Sequence, residues 1–364
     1  MKQGLSLPDL ATEIKRQSEM KKDFLADTRR MEFIHFDEDG MKFWMATRTN
    51  SMRPKSFNTH TLHINETAHM QIGQKLGIPT KYYDRLLTDH PDMLAYNVNT
   101  LFGREPSTQM VRTLDGTVRA FLSERYRILD NDQIAEAVLP IILEWMDDGA
   151  RVESAEITDK RLYLKIVNPK IEAEIVPGDI VQSGIVISNS EVGHGSVSVS
   201  PMVYRLICKN GMIRNDAGLR KVHVGRINNA NIDNILYRDE TIEADDKAFL
   251  MKLQDVVRST AESVHFESIV DQMRDASKQL ITGNVYEVVQ LVNKNVGITE
   301  AEGVSVLDHL IRDGNMSKYS LSSAITRAAH DVSSYDRSTE MEQIGYEVVS
   351  MSPTLWKQLN AAAS

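Results

Sequence analysis

The stretch Gln109-Met-Val-Arg-Thr-Leu-Asp-Gly-Thr-Val-Arg-Ala-Phe-Leu122 places two alternating, strand-like runs on either side of Asp115-Gly116. Asp-Gly is the dipeptide that a two-residue type I′ turn favours, because both central positions take positive φ. In the simplest register Leu114 faces Thr117, Arg112 faces Arg119 and Met110 faces Phe121. Val111, Val118, Ala120 and Leu122 then share the core face, and Arg112, Arg119 and Phe121 share the other. Like charges directly opposite one another are unfavourable, so the two arginines call for a polyanion or for an acid from elsewhere in the fold. The functional expectation is a phosphate platform with an aromatic ring beside it, extended by Arg125, Tyr126 and Arg127.

Outward from this hairpin the pattern stays strand-rich. Further strands are expected over residues 152–158, 161–167, 180–188, 196–208 and 221–225, with one helix over 132–147. Mixed order and hairpin spacing predict an α+β fold with a largely antiparallel sheet core and packed helices, in place of a doubly wound parallel sheet. On the amino-terminal side, residues 7–30 read as a surface helix or arm. Two strands around Glu38-Asp39-Gly40 and a third over 57–64 follow. Asn65 is the expected N-cap of a helix over 66–76 that ends at Gly77 and Pro79, and a short helix over 81–87 comes next. From Asp239 onward the chain reads as helical, over 241–264, 267–281, 284–292, 304–312, 320–332 and 339–345. The expected organisation is an amino-terminal region over 1–105, a β-rich core over 106–236 and a helical region over 237–364. Nothing repeats at a period of about 20 to 50 residues, which argues against a solenoid.

The chain carries a formal charge of -9, yet residues 205–226 hold six bases (Arg205, Lys209, Arg214, Arg220, Lys221, Arg226) against one acid, Asp216. A basic strip in an acidic protein points to a polyanion. Asn210-Gly211 is a second hairpin signal that would project Lys209 and Arg214 into a groove. Tyr126 and Tyr204 are the candidates for base stacking, which contributes about 1–3 kcal/mol per base and complements salt-sensitive phosphate contact. Gly193-His-Gly195 joins two strands as a tight bend. No Lys-Ser or Lys-Thr follows it at phosphate-loop spacing.

Catalytic chemistry has little support. There is no nucleophile elbow, no dinucleotide fingerprint, and no cysteine or carboxylate at zinc spacing from His60 and His63, so neither a metal nor another cofactor is expected. Asp245-Asp246 suit the first turns of a helix. A metal-dependent nuclease would require carboxylates converging in the fold. The single Cys208 rules out an intramolecular disulfide, and there is no signal-like segment or apolar run of about 18 residues, so the expected setting is the cytoplasm, with no membrane contact.

Residues 117–131, the turn Ser188-Asn-Ser-Glu-Val-Gly193, the run Tyr204-Arg-Leu-Ile-Cys-Lys-Asn-Gly211, Val222-His-Val224 and Thr326-Arg-Ala-Ala-His-Asp331 resemble the phage and plasmid proteins grouped as domain of unknown function nine-three-two. The resemblance covers roughly residues 68–330. It implies a mobile-element protein and carries over no catalytic residue. More distantly, hairpins with a basic sheet face and helical additions are similar to phage single-strand annealing proteins. The resulting expectation is an oligomeric, cytoplasmic protein of the host cell that binds single-stranded DNA and promotes annealing or recombination without nucleotide hydrolysis. The alternative is an assembly or host-interaction protein whose basic strip meets an acidic protein surface, or its own acidic stretch over 239–246.

Overall fold

A computed structural model describes residues 1–36, 40–48, 57–214 and 239–363. Helix α1 (Leu7–Met20) starts where the Ser6 hydroxyl accepts from the Asp9 amide and proline occupies the first turn. Both features satisfy or dispense with donors that a helix start leaves unpaired. The chain then forms β1 (Lys22–Asp27), a strand in the middle of the stretch expected to be one helix or arm. Charged residues at both ends of Lys22-Asp-Phe-Leu-Ala-Asp27 mask its short apolar centre.

Strands β2 (Met31–Phe36), β3 (Gly40–Arg48) and β4 (Phe57–Ile64) follow, then helices α2 (Glu66–Lys75), α3 (Thr80–Asp89) and α4 (Pro91–Arg104). The Asn65 side chain caps α2 by accepting from the Ala68 amide. With β5 (Thr108–Leu114) and β6 (Thr117–Ser123) these strands make a six-stranded sheet, in the order β1-β5-β6-β4-β3-β2. Among the described residues only the short β4–β6 pairing in this sheet is parallel. Phe33, Phe43, Val111, Val118 and Phe121 line one core with Ile72, Leu94 and Phe102 of the helices. Hydrogen bonding between β1 and β5 runs across the expected 105/106 boundary.

The second sheet is antiparallel throughout: β7 (Arg151–Ile157), β8 (Leu162–Glu174), β9 (Ile180–Asn189), β10 (Ser198–Arg205) and β11 (Asn210–Ile213), ordered β11-β10-β9-β8-β7. One face buries Leu164, Ile166, Ile185 and Ile187 against α1, α5 (Asn131–Asp147) and α6 (Asp239–Thr260). The other meets α7 (Ser263–Ser277), α10 (Lys318–Ala328) and α11 (Tyr335–Ser350) through Val181, Val203, Phe266, Tyr319 and Val349. On this second face Lys165 of β8 and Glu342 of α11, both fully buried, pair at 2.5 Å. With α8 (Val285–Val296), α9 (Glu300–Asp313) and α12 (Pro353–Ala362), α10 and α11 close a separate apolar core. The α+β class and the helical carboxyl-terminal segment hold. Among the described residues no helix is long and apolar enough to cross a membrane.

Two hairpin expectations need correction. Asp115 and Gly116 do form the turn, with φ of 50° and 76°. A bulge between Arg112 and Thr113, however, sets Arg112 opposite Ala120 and Val111 opposite Phe121. The extra residue removes the direct Arg112–Arg119 opposition and turns Phe121 into the core, where its ring stacks on Phe102 at 5.8 Å. In the second hairpin Asn210 and Gly211 are paired residues of β11, opposite Arg205 and Tyr204. The turn lies over residues 206–209, with Lys209 in the left-handed region at φ 51°. Gly211 serves packing there: a Cβ would sit 3.0 Å from the Met1 sulfur and 3.1 Å from that of Met202.

Candidate functional site

The loop from β9 to β10 brings the two sheets together. Gln71 of α2 accepts from the Phe121 amide of β6 at 2.7 Å and donates to the Val192 carbonyl at 2.7 Å. The His194 ring meets the Thr67 hydroxyl at 3.0 Å. Gly193 and Gly195 both have positive φ, so the expected tight bend between strands is present.

Against this loop Arg112, with its side chain fully buried, donates to both oxygens of Asp23 (2.9 and 3.0 Å), to Asp130 (2.6 Å) and to the Glu191 carbonyl (2.8 Å). Burial works against its charge, but Asp23 and Asp130 outweigh that and raise its pKa further. Arg119 lies 2.7 Å from the Glu191 carboxylate, a charge contact that does not complete a hydrogen bond. The Glu191 carboxylate also accepts from the Asn131 amide at 2.7 Å, and Asp130 and Gln133 form the capping box of α5.

Lys21 reaches the same place from the end of α1, at 2.6 Å from Asp130, 3.3 Å from Asp132 and 3.8 Å from Glu191. Burial lowers its basicity, and these three carboxylates more than restore it. Burial likewise opposes ionisation of Asp132, yet the Ser18 hydroxyl and Lys21 hold its pKa below the usual carboxylate value. The ligand oxygens of Asp130, Asp132 and Glu191 lie within 4.8 Å of one another. Such convergence is what a metal-dependent nuclease would require. Hard cations take oxygen ligands of this kind, but here the Lys21 ammonium already stands among the oxygens, and a metal would have to displace it. The junction as built is an ion network of three bases and four acids that ties α1, β1, β5, β6, α5 and the β9–β10 loop together.

Arg112 and Arg119 therefore face acids of their own chain and form no solvent-facing platform. Arg127 pairs with Asp245 at 2.7 Å and with Asp246, and stacks over Phe249 of α6. Arg205 grips Asp179 at 2.7 and 2.9 Å and lies over the Tyr319 ring. Tyr204 is buried, with its hydroxyl on Glu153 at 2.7 Å, so it presents no stacking face. Tyr126 is half-buried and donates to the Ser190 carbonyl at 3.1 Å; burial pushes its phenol up to about 12. Arg125 and Lys209 are exposed, and Arg214 is half-buried at the end of β11. Arg220, Lys221 and Arg226, with the strand expected over 221–225, lie outside the described residues.

Lys21, Asp23, Asp130, Asp132 and Glu191 are not marked as site residues by any sequence motif. One signal is present: Glu191 is the single acid in residues 180–215, inside the apolar β9–β10 region.

A family model described as a domain of unknown function, DUF932, matches residues 119–363, about two thirds of the chain. The match takes in Arg119, Asp130, Asp132 and Glu191, and Lys21, Asp23 and Arg112 precede it. No curated protein and no solved structure matches the chain.

Proposed function

The chain belongs to the DUF932 family, and we propose that it is a mobile-element protein that binds single-stranded DNA and promotes annealing or recombination without nucleotide hydrolysis. The observation that carries this reading is the concentration of bases over 209–226 in a chain of formal charge -9. Arg112, Arg119, Arg127 and Arg205 are held by carboxylates of the same chain. Residues 209–226 hold five bases against Asp216 in the sequence, and Lys209 is exposed on the turn that begins this run. Phosphate contact then rests on Lys209, Arg214, Arg220, Lys221 and Arg226, with Arg125 as an outlying contact. The setting is the host cytoplasm and the working form a homo-oligomer.

Fluorescence anisotropy with labelled single- and double-stranded oligonucleotides across a salt series tests this. The expected result is tighter, salt-dependent binding of the single strand. Absence of binding to either form at low salt would refute it.

One observation favours a second reading, an assembly or host-interaction protein. Asp245 and Asp246, at the acidic start of α6, already neutralise a neighbouring cation, Arg127. The same pairing between copies would make the basic strip a protein contact, and retention of an acidic protein partner in place of DNA would point to it.

A further inference from the structure

The turn between β10 and β11 lies against α9 and α10 and borders with them an open cleft of about 240 Å³. Arg205 and Cys208 come from the β10 side, His309 and Arg312 from α9, and Ser323 and Arg327 from α10. Three guanidinium groups and the acid Asp313 line it; Arg205 is paired with Asp179, Arg312 with Asp308 and the His309 ring with Asp331, which leaves Arg327 as the guanidinium without a carboxylate partner among the described residues. We propose that this cleft is a binding pocket for a phosphate monoester group.

Three features build the pocket. Arg205 is fixed before any ligand arrives: Asp179 grips its Nε, Tyr319 lies under its plane, and Nη1 points to the Cys208 sulfur at 3.6 Å. A guanidinium held this way loses little freedom on binding an oxyanion. Arg327 donates one N–H to the Cys208 carbonyl at 2.6 Å and has no carboxylate partner among the described residues. Ser323 is 4% exposed, and its hydroxyl lies beside the Tyr319 phenol without completing a hydrogen bond. At the rim, Arg312 pairs among the described residues with Asp308 of its own helix, and its side chain is 72% exposed. Exposed pairs of that kind hold weakly, so Arg312 is available to an incoming anion.

The chemistry selects the ligand. Forked, charged donors from separate elements suit a group with several acceptor oxygens and more than one negative charge. Pockets for drug-sized ligands run to about 300–1,000 Å³, so this smaller cleft fits the phosphate end of a molecule. That end could come from a small metabolite or from a strand terminus. The pocket does not depend on strand binding through Lys209 and Arg214.

Cys208 is the only cysteine in the chain, so alkylation reports on this cleft alone. The test follows iodoacetamide labelling of the full chain by mass spectrometry, with inorganic phosphate against chloride at equal ionic strength. Phosphate is expected to slow labelling saturably. The half-protecting concentration should rise about tenfold in Arg327→Gln and in Arg312→Ala, as removal of a charge-assisted hydrogen bond implies. Arg312 is a surface residue, so its variant keeps the test valid if Arg327→Gln fails to fold.

Two further probes separate the sources, and protection by either supports the pocket. A 5′-phosphorylated trinucleotide that protects where its 5′-hydroxyl counterpart does not identifies a strand end; protection by glycerol phosphate alone identifies a metabolite. Labelling that phosphate leaves unchanged, or slows equally in both variants and the parent, overturns the assignment.

Discussion

Lys21 stands where a divalent cation would stand. Its ammonium is 2.6 Å from Asp130 and 3.3 Å from Asp132, with Glu191 at 3.8 Å, and its side chain is only 13% exposed. Removing one member of a buried ion pair leaves the other charge uncompensated, at a cost of about 3–5 kcal/mol. Lys21→Met should therefore lower stability by about 3 kcal/mol in denaturant unfolding. Millimolar Ca²⁺ should raise the melting temperature of this variant and leave the parent unchanged. A variant as stable as the parent would show that the network contributes nothing. Half of this junction is legible in the sequence: two arginines close together on one hairpin demand an anion. That the anion is internal is not legible, because Asp23, Asp130 and Glu191 come from three distant parts of the chain and share no spacing with Arg112 or Arg119.

At the scale of elements, the sequence is most legible where local chemistry sets the structure. Asn65 caps α2, Asp115-Gly116 closes the first hairpin, and α5 runs over Asn131–Asp147 against an expected 132–147. It is least legible where tertiary packing decides. β1 exists because β5 offers it a partner, and α4 and α12 are helices that the sequence pattern does not predict. The second hairpin misleads because Lys209 adopts the left-handed conformation that Asn210-Gly211 would ordinarily claim.

The packing of α2 on α3 also sets a pH dependence. His69 is buried, its ring nitrogen lies 2.9 Å from the Tyr83 hydroxyl, and burial lowers its pKa from 6.5 to about 4. The unfolded chain then binds the extra proton more readily than the folded one between these values. This contribution is fully present above pH 6.5 and is lost as pH falls toward 4. Urea unfolding across that window should show stability falling with acidity, and His69→Gln should flatten the slope. An unchanged slope in the variant would contradict a buried, neutral His69 as the cause.

Across the whole molecule, charge is sorted by where the fold hides it. The net charge of -9 coexists with arginines buried on their own acids and with a basic run over 209–226 that starts at an exposed lysine. The α+β class is legible from alternation and helical periodicity. The division of the strands into two sheets is not, since sheet membership depends on which distant strands pair. Nor can composition tell a cation that faces solvent from one that faces Asp179 or Asp246.

The measurement that tests this sorting most directly is the slope of log affinity against log salt for a single-stranded oligonucleotide, in the parent, in Lys209→Ala and in Arg127→Ala. Removing one phosphate-binding cation reduces that slope by about 0.7 for single strands. A reduction of this size is predicted in Lys209→Ala and no change in Arg127→Ala, whose charge already faces Asp245 and Asp246. The reverse pattern, with Arg127→Ala reducing the slope and Lys209→Ala leaving it unchanged, would contradict the sorting of charge described above.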